Sequence, residues 1–264
     1  MKIVVCLKEV PDSEAHLVIR SDQKSIETEN LVSKMNPFDE CAIEEALKIK
    51  EKMGGEIILL TLGPDSTKQI IRKGLAMGTD RAIHLNDPAW RQSDALLTAE
   101  AFSKVIQPLG VDLIFTGVQS EDGLNMQTGI LLAEFLHLTH ASILTKLEIL
   151  DGGKQARGTR ELEGGLLEDI EFDLPAVITV QTGINIPRYP TLPGIMKARA
   201  KEIKNISVAD LGYTPAQAGI AGSAVKMIKL VHPEIGKKAE IISGDEVQAA
   251  KSLVRKLKEE AKVL

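Results

Sequence analysis

Three polar turns in this chain carry residue types that can hold a nucleotide or another anion. The first is Asn36-Pro37-Phe38-Asp39, at the start of a helical pattern, where backbone N–H groups can face a negative charge. The second is Leu62-Gly63-Pro64, which leads into Ser66 and Thr67 at another helix start. The third is Gly117-Val118-Gln119-Ser120-Glu121-Asp122-Gly123-Leu124-Asn125-Met126-Gln127-Thr128-Gly129. Its glycines allow close backbone approach, and its amides and hydroxyls can cap phosphate oxygens as the next helix begins. Each turn alone is ordinary in an α/β chain. Three of them at the carboxyl ends of predicted strands point to a ligand edge.

Bond-making chemistry lacks its usual signatures. There is no G-x-G-x-x-G, Walker A, H-E-x-x-H or nucleophile elbow. His137 and His140 form the one close histidine pair, with no cysteine beside them, which reads as a structural helix end rather than a metal site. The two cysteines, Cys6 and Cys41, belong to no C-x-x-C and fit buried free thiols in a reducing compartment. No general acid and base come together in the sequence, so the inventory leans toward binding or electron carriage.

A second unusual stretch is Ile184-Asn185-Ile186-Pro187-Arg188-Tyr189-Pro190-Thr191-Leu192-Pro193-Gly194-Ile195-Met196-Lys197-Ala198. Its prolines recur every third residue, and each fixes its own φ and pushes its predecessor toward extended geometry. The spacing predicts a stiff arm of polyproline character. A stiff arm loses little entropy on docking, which suits recognition of another surface. The plainer reading is a proline-rich crossover packed on its own domain.

The surrounding elements must position these turns. Residues 2–7, 56–62, 81–85 and 112–116 are short apolar runs, and they alternate with helical patterns after Asn36, from 66 to 77, from 95 to 106 and from 127 to 136. That alternation predicts an α/β fold: a Rossmann-like, doubly wound, mostly parallel sheet. Residues 9–34 read as a loop with a hairpin or irregular excursion. Runs at 141–150, 154–161, 166–172 and 176–181, separated by Gly-rich turns, read as an antiparallel extension. Residues 198–225 are weakly patterned, and 245–262 form an amphipathic helix. The organisation expected is a nucleotide-binding domain with its arm over 1–198, then an extended C-terminal arm and helix over 199–264.

Composition narrows the function classes. At 264 residues the chain can bury a substantial core, and with aromatics at only 3% that core is built from Leu, Ile, Val and Ala. Few rings, a net charge of −5 and no long basic block argue against nucleic acid. No apolar run is long enough for a signal peptide or a membrane span, so no membrane insertion and a cytoplasmic location are expected.

In order along nearly the whole chain, these motifs resemble the β subunits of electron-transfer flavoproteins, including bacterial FixA-type proteins. The matching residues are Asn36 to Asp39 with Ala42-Ile43-Glu44-Glu45-Ala46, Gly63-Pro64, and Gly74-Leu75-Ala76-Met77-Gly78-Thr79-Asp80-Arg81. The match continues through Gly117-Val118-Gln119, Gln127-Thr128-Gly129, Arg160-Glu161 and Gly164-Gly165 to the run from Asn185 to Ala198. The resemblance implies a heterodimeric electron carrier whose larger α subunit holds most of the redox FAD. It implies a structural AMP in this subunit, touched by Cys6, Asn36, Pro37, Phe38, Asp39, Leu62 and the turn from Gly117 to Thr128. It also implies that Arg188, Tyr189, Pro190, Thr191, Leu192, Pro193, Gly194, Ile195 and Met196 form a recognition loop. That loop would dock an acyl-CoA dehydrogenase-type partner, with Leu192 as its anchor. Arg160 and Glu161 would face the mobile flavin-bearing domain of the α subunit, and the C-terminal segment would reach across that subunit.

In members of that family that bifurcate electrons, a second FAD replaces AMP, and the third turn typically continues Asp-Gly-Asp-Thr. Here Leu124 and Asn125 follow Asp122-Gly123, which favours the AMP form. The alternatives are a bifurcating β subunit with NADH reactivity and a stand-alone adenine-nucleotide-binding regulatory domain.

Overall fold

The computed structural model describes residues 1–29, 31–233 and 239–264. In chain order the elements are strands β1 (Lys2–Leu7), β2 (Glu9–Pro11) and β3 (Ser33–Met35), helix α1 (Pro37–Met53), β4 (Glu56–Leu62) and α2 (Lys68–Met77). Then come β5 (Arg81–Leu85), α3 (Ala95–Ile106), β6 (Leu113–Gly117), α4 (Thr128–Leu136), β7 (Thr139–Ile149), β8 (Gln155–Glu161), β9 (Leu167–Asp173) and β10 (Ala176–Val180). The short helix α5 (Leu192–Ala198), β11 (Ile203–Ile206), a single turn α6 (Gly219–Gly222) and α7 (Glu246–Glu259) complete the set.

Nine strands form one sheet in the order β11-β5-β4-β1-β6-β10-β7-β8-β9. From β11 to β7 every neighbouring pair is parallel. Both faces of that part are covered, so its strands are continuous apolar runs rather than alternating ones. In β1, Ile3, Val5 and Leu7 join a core with α1 and α2, while Val4 and Cys6 join a second core with α3 and α4 on the other face. The sheet grows from β1 through β4 to β5 and then returns to place β6 on the opposite side of β1. The crevice at such a reversal, outside the carboxyl ends of the strands, is where open α/β sheets take ligands.

The antiparallel extension is smaller than the sequence patterns suggest. Among the described residues of the nine-stranded sheet, only β7-β8 and β8-β9 pair antiparallel, while β10 returns between β6 and β7 and runs parallel to both. All five residues of β10 are buried, as an interior strand requires. Residues 9–11 and 33–35 form the small antiparallel β2-β3 pair, and the described residues between them, 12–29 and 31–32, are an irregular excursion.

The chain divides into two compact units, Met1–Ile228 and Lys229–Leu264. Residues 199–228, which the sequence patterns assign to the C-terminal arm, lie in the first unit. There β11 extends the sheet at β5, and Tyr213 packs edge-on against Trp90 with ring centroids 5.3 Å apart. The second unit carries α7, capped by Asp245, whose carboxylate accepts from Gln248 N at 2.8 Å. Among the described residues, no helix is long and apolar enough to cross a membrane.

The proline-rich stretch is not polyproline throughout. Its last seven residues are helical: Thr191 caps α5 by accepting from Gly194 N, and Pro193 sits in the first turn, where its missing N–H costs nothing. Gly194 lies so close to α2 that a Cβ would come within 2.4 Å of the Ala76 carbonyl oxygen.

Candidate functional site

A cleft of about 220 Å³ opens at the strand-order reversal. The ends of β1, β4 and β6 form its floor, and the first turns of α3 and α4 form its walls. The first and third polar turns meet there.

Asn36 occupies the cap position of α1 but makes no capping bond with its side chain. Instead its amide reaches the third turn: Nδ2 donates to Gln119 O at 2.8 Å, and Oδ1 accepts from Glu121 N at 3.3 Å. Asp39, in the first turn of α1, is buried and holds two strand ends together. Its Oδ2 accepts from Lys8 N at 2.8 Å and its Oδ1 from Gly117 N at 3.0 Å. Burial pushes its carboxyl up to about 7, against the opposing pull of those backbone donors and of Asn36. Position 117 has no room for a side chain, because a Cβ would lie 2.4 Å from Asp39 Oδ1 and 2.6 Å from Phe38 Cβ.

Lys8 is the one cation lining the cleft among the described residues. Its Nζ donates to Asp122 at 2.6 and 2.8 Å and to Ser120 Oγ at 3.2 Å, so it ties the third turn to the end of β1. Leu124 and Met126 in that turn both adopt left-handed φ, 53° and 55°, on either side of Asn125. Such backbone strain in non-glycine residues tends to gather at functional sites. Thr116 Oγ1, in the cleft wall, is buried and has no hydrogen-bond partner in the protein. Cys6 Sγ is buried, and burial together with the Asp39 charge pushes its thiol well above the ordinary range.

Cys6, Asn36, Asp39, Leu62, the run from Gly117 to Ser120 and the run from Asn125 to Thr128 all line the cleft. Pro37, Phe38, Glu121, Asp122, Gly123 and Leu124 do not. Phe38 backs Gly117, Glu121 pairs with Lys34 at 3.1 Å, Asp122 holds Lys8, Gly123 N donates to Ser120 Oγ, and Leu124 is exposed. The second turn contributes only Leu62, since the Ser66 and Thr67 hydroxyls both donate to Glu9 Oε2, at 2.9 and 2.8 Å.

Sequence reasoning missed Lys8, Asp94, Thr98, Phe102 and Thr116. Asp94 had a local signal, being an N-cap residue directly before the helical pattern from 95. Among the described residues there is no cluster of three or more metal-ligating side chains.

The proline-rich stretch lies elsewhere, against α1 and α2. Asn185 Nδ2 donates to Cys41 O at 2.9 Å and to Glu45 Oε2 at 3.0 Å. Arg188 pairs with Glu44 and Glu51. Tyr189, Leu192 and Met196 stand out from this base at 91%, 73% and 61% exposure. The stretch is therefore both packed at its root and exposed at its tip.

The family profile described as the electron transfer flavoprotein domain matches residues 24–211. The chain is 37% identical to the electron transfer flavoprotein subunit beta of Methylophilus methylotrophus, over 95% of this chain and 96% of that one. It is 37% identical to the mitochondrial subunit beta of Arabidopsis thaliana and 34% identical to the subunit beta of Bacillus subtilis, each over the full length of both chains. An α/β chain with a cleft at the reversal of its mostly parallel sheet is the class that this fold defines. The chain belongs to the electron transfer flavoprotein family, and within it to the β subunits.

Proposed function

We propose that this chain pairs with an α subunit to form a soluble electron carrier and holds AMP in the cleft between β1 and β6. The carrier shuttles electrons between acyl-CoA dehydrogenase-type flavoenzymes and a quinone reductase or another redox partner. The observation that carries this reading is the convergence of Asn36, Asp39 and the runs 117–120 and 125–128 on one cleft at the strand-order reversal.

The residues present suit an adenylate. Leu62, Val118 and Phe102 offer apolar surface for a base. Gln119, Asn125, Gln127 and Thr128 offer amides and a hydroxyl, and Lys8 offers one positive charge. The absence of a side chain at Gly117 lets Asp39 and Asn36 close in on the end of β6, which holds the first and third turns together at the cleft. Leu124 and Asn125, in place of the acid and hydroxyl found in bifurcating relatives, support AMP rather than a second FAD. FAD, held mainly by the α subunit, supplies the redox chemistry. This chain's part is to bind, to present the arm and to shape its side of the complex. The arm suits transient docking, because its root is fixed and its apolar tip is small.

Co-purification with the α subunit followed by nucleotide extraction tests the reading. A yellow 1:1 complex yielding FAD and AMP in equal amounts is expected. A colourless complex that takes up no FAD overturns the carrier role, and a second FAD with no AMP overturns the assignment of the cleft.

A further inference from the structure

Asp94 belongs to two structures at once. It lines the cleft at the start of α3, and its carboxylate is also where the chain just after α6 is fastened. Oδ1 accepts from Leu97 N at 2.9 Å as the helix cap. Oδ2 accepts from Ala224 N at 2.7 Å and Val225 N at 3.0 Å. Asp94 N in turn donates to Ser223 Oγ at 2.9 Å, and Ser223 Oγ donates to Gly219 O at 2.8 Å. Gly219 is seated so closely on the loop before α3 that a Cβ would meet Ala89 O at 2.3 Å and Arg91 O at 2.6 Å. Residues 223–225 lie near the end of the first unit, which closes at Ile228.

This arrangement has an electrostatic consequence. A carboxylate in the wall of a cleft repels an anionic ligand unless its charge is met by donors. Here three backbone N–H groups meet it, and two of them belong to residues 224 and 225. We propose that Asp94 is a positioning residue that couples the cleft to the segment 223–225: seating that segment offsets the carboxylate's field with backbone donors and lets the cleft accept an anionic nucleotide. The proposal rests on the reading of the cleft as an AMP site. Coupling of this kind is reciprocal, so a bound anion also holds the segment in place.

The sign is specific. Releasing the segment leaves Oδ2 of this cleft-lining residue without its partners, which penalises AMP. Uncharged adenosine makes the same base and ribose contacts and does not feel that charge. Ser223 and Val225 do not line the cleft, so changes there reach a ligand only through Asp94.

The test uses the full chain and titration calorimetry with AMP and with adenosine. Ser223→Ala is expected to weaken AMP about fivefold, near the low end of measured site-to-site couplings, and to change adenosine less than about twofold. On an Asp94→Asn background, where there is no charge to offset, adding Ser223→Ala changes AMP less than about twofold. In wild type, AMP slows hydrogen exchange at the Ala224 and Val225 amides and adenosine does not, a readout that stands even if Ser223→Ala fails to fold. Equal losses for AMP and adenosine, or AMP binding with no change at those two amides, overturn the coupling. A wild-type protein that binds neither ligand overturns the AMP reading itself, and the coupling with it.

Discussion

Arg188 and Glu44 are joined by three hydrogen bonds that fix the direction of the proline-rich arm. Arg188 donates from its backbone N at 3.1 Å and from Nε at 2.8 Å to Glu44 Oε2, and from Nη2 at 2.9 Å to Oε1. Nη1 adds a bond to Glu51 Oε1. These carboxylates raise the guanidinium pKa further above its ordinary value. Glu44 is 5% exposed on the inner side of α1, so its partner is not replaceable by bulk water. The arm's root is therefore fixed by a forked, charge-assisted contact while its tip stays in solvent.

Arg188→Ala leaves the Glu44 carboxylate buried without its fork. We expect a loss of about 2 kcal/mol in denaturant unfolding, in line with the cost of stranding a buried polar group. Protease cutting within 185–192 should also speed up. Arg188→Lys recovers only part of the stability, because an ammonium cannot reproduce the two-pronged geometry. Unchanged stability and cutting in the Ala variant would show that the arm is held by its other contacts.

Gly117→Ala places a methyl group 2.4 Å from Asp39 Oδ1 and 2.6 Å from Phe38 Cβ, where a buried helix turn meets a strand end. Overpacking of this kind costs about 1–3 kcal/mol. The clash displaces Asp39 from the end of β6, so AMP affinity should fall by more than the stability loss alone explains. A variant that binds AMP like wild type would remove Gly117 from the site.

Asp39 gives the fold a pH dependence of definite sign. Its folded pKa is raised to about 7 from an ordinary 3.8. Its contribution to stability is therefore fully present below about pH 4 and is lost as the pH rises through 7. Asp39→Asn removes this proton. The stability difference between wild type and the Asn variant should move against wild type by about 1.4 kcal/mol between pH 6 and pH 8. Comparing the two proteins cancels other groups, including buried His84, whose pKa is lowered mainly by burial. A flat difference across that range would show that Asp39 is ionised throughout.

Much of the architecture is legible in local patterns, and the exceptions have physical causes. The continuous apolar runs of β1, β4 and β6 announce strands buried on both faces. The run Ala176-Val177-Ile178-Thr179-Val180 carries the same mark, whereas β9 alternates as Leu167-Glu168-Asp169-Ile170-Glu171-Phe172-Asp173. That contrast distinguishes an interior strand from an edge strand, but their neighbours in the sheet are set by long-range pairing that no local pattern encodes. β11 is four residues of mixed polarity, too short to show a period. In the cleft, residue types point to the right turns but not to their bonds. Asn36 has the composition of a cap, yet it serves the turn at 119–121, because the fold brings that turn within reach of its amide. Lys8 and Thr116 carry no motif, and only the pairing of β1 with β6 brings both to the cleft.

Leu192→Ala separates docking from folding. Leu192 is 73% exposed at the start of α5, so its truncation should change stability by no more than about 0.5 kcal/mol. On docking, the same side chain would become buried, and burying a leucine is worth about 1.5–3 kcal/mol. We therefore expect reduction of the carrier by an acyl-CoA dehydrogenase-type partner to slow by about tenfold or more at limiting partner, with the absorption spectrum of bound flavin unchanged. Tyr189→Ala, at a neighbouring exposed position, should act in the same direction. Direct chemical reduction of the flavin should proceed at the wild-type rate in both variants, which assigns the loss to the encounter rather than to the cofactor. If partner turnover is unaffected in the Leu192 variant, the arm is a packed crossover and the docking surface lies elsewhere.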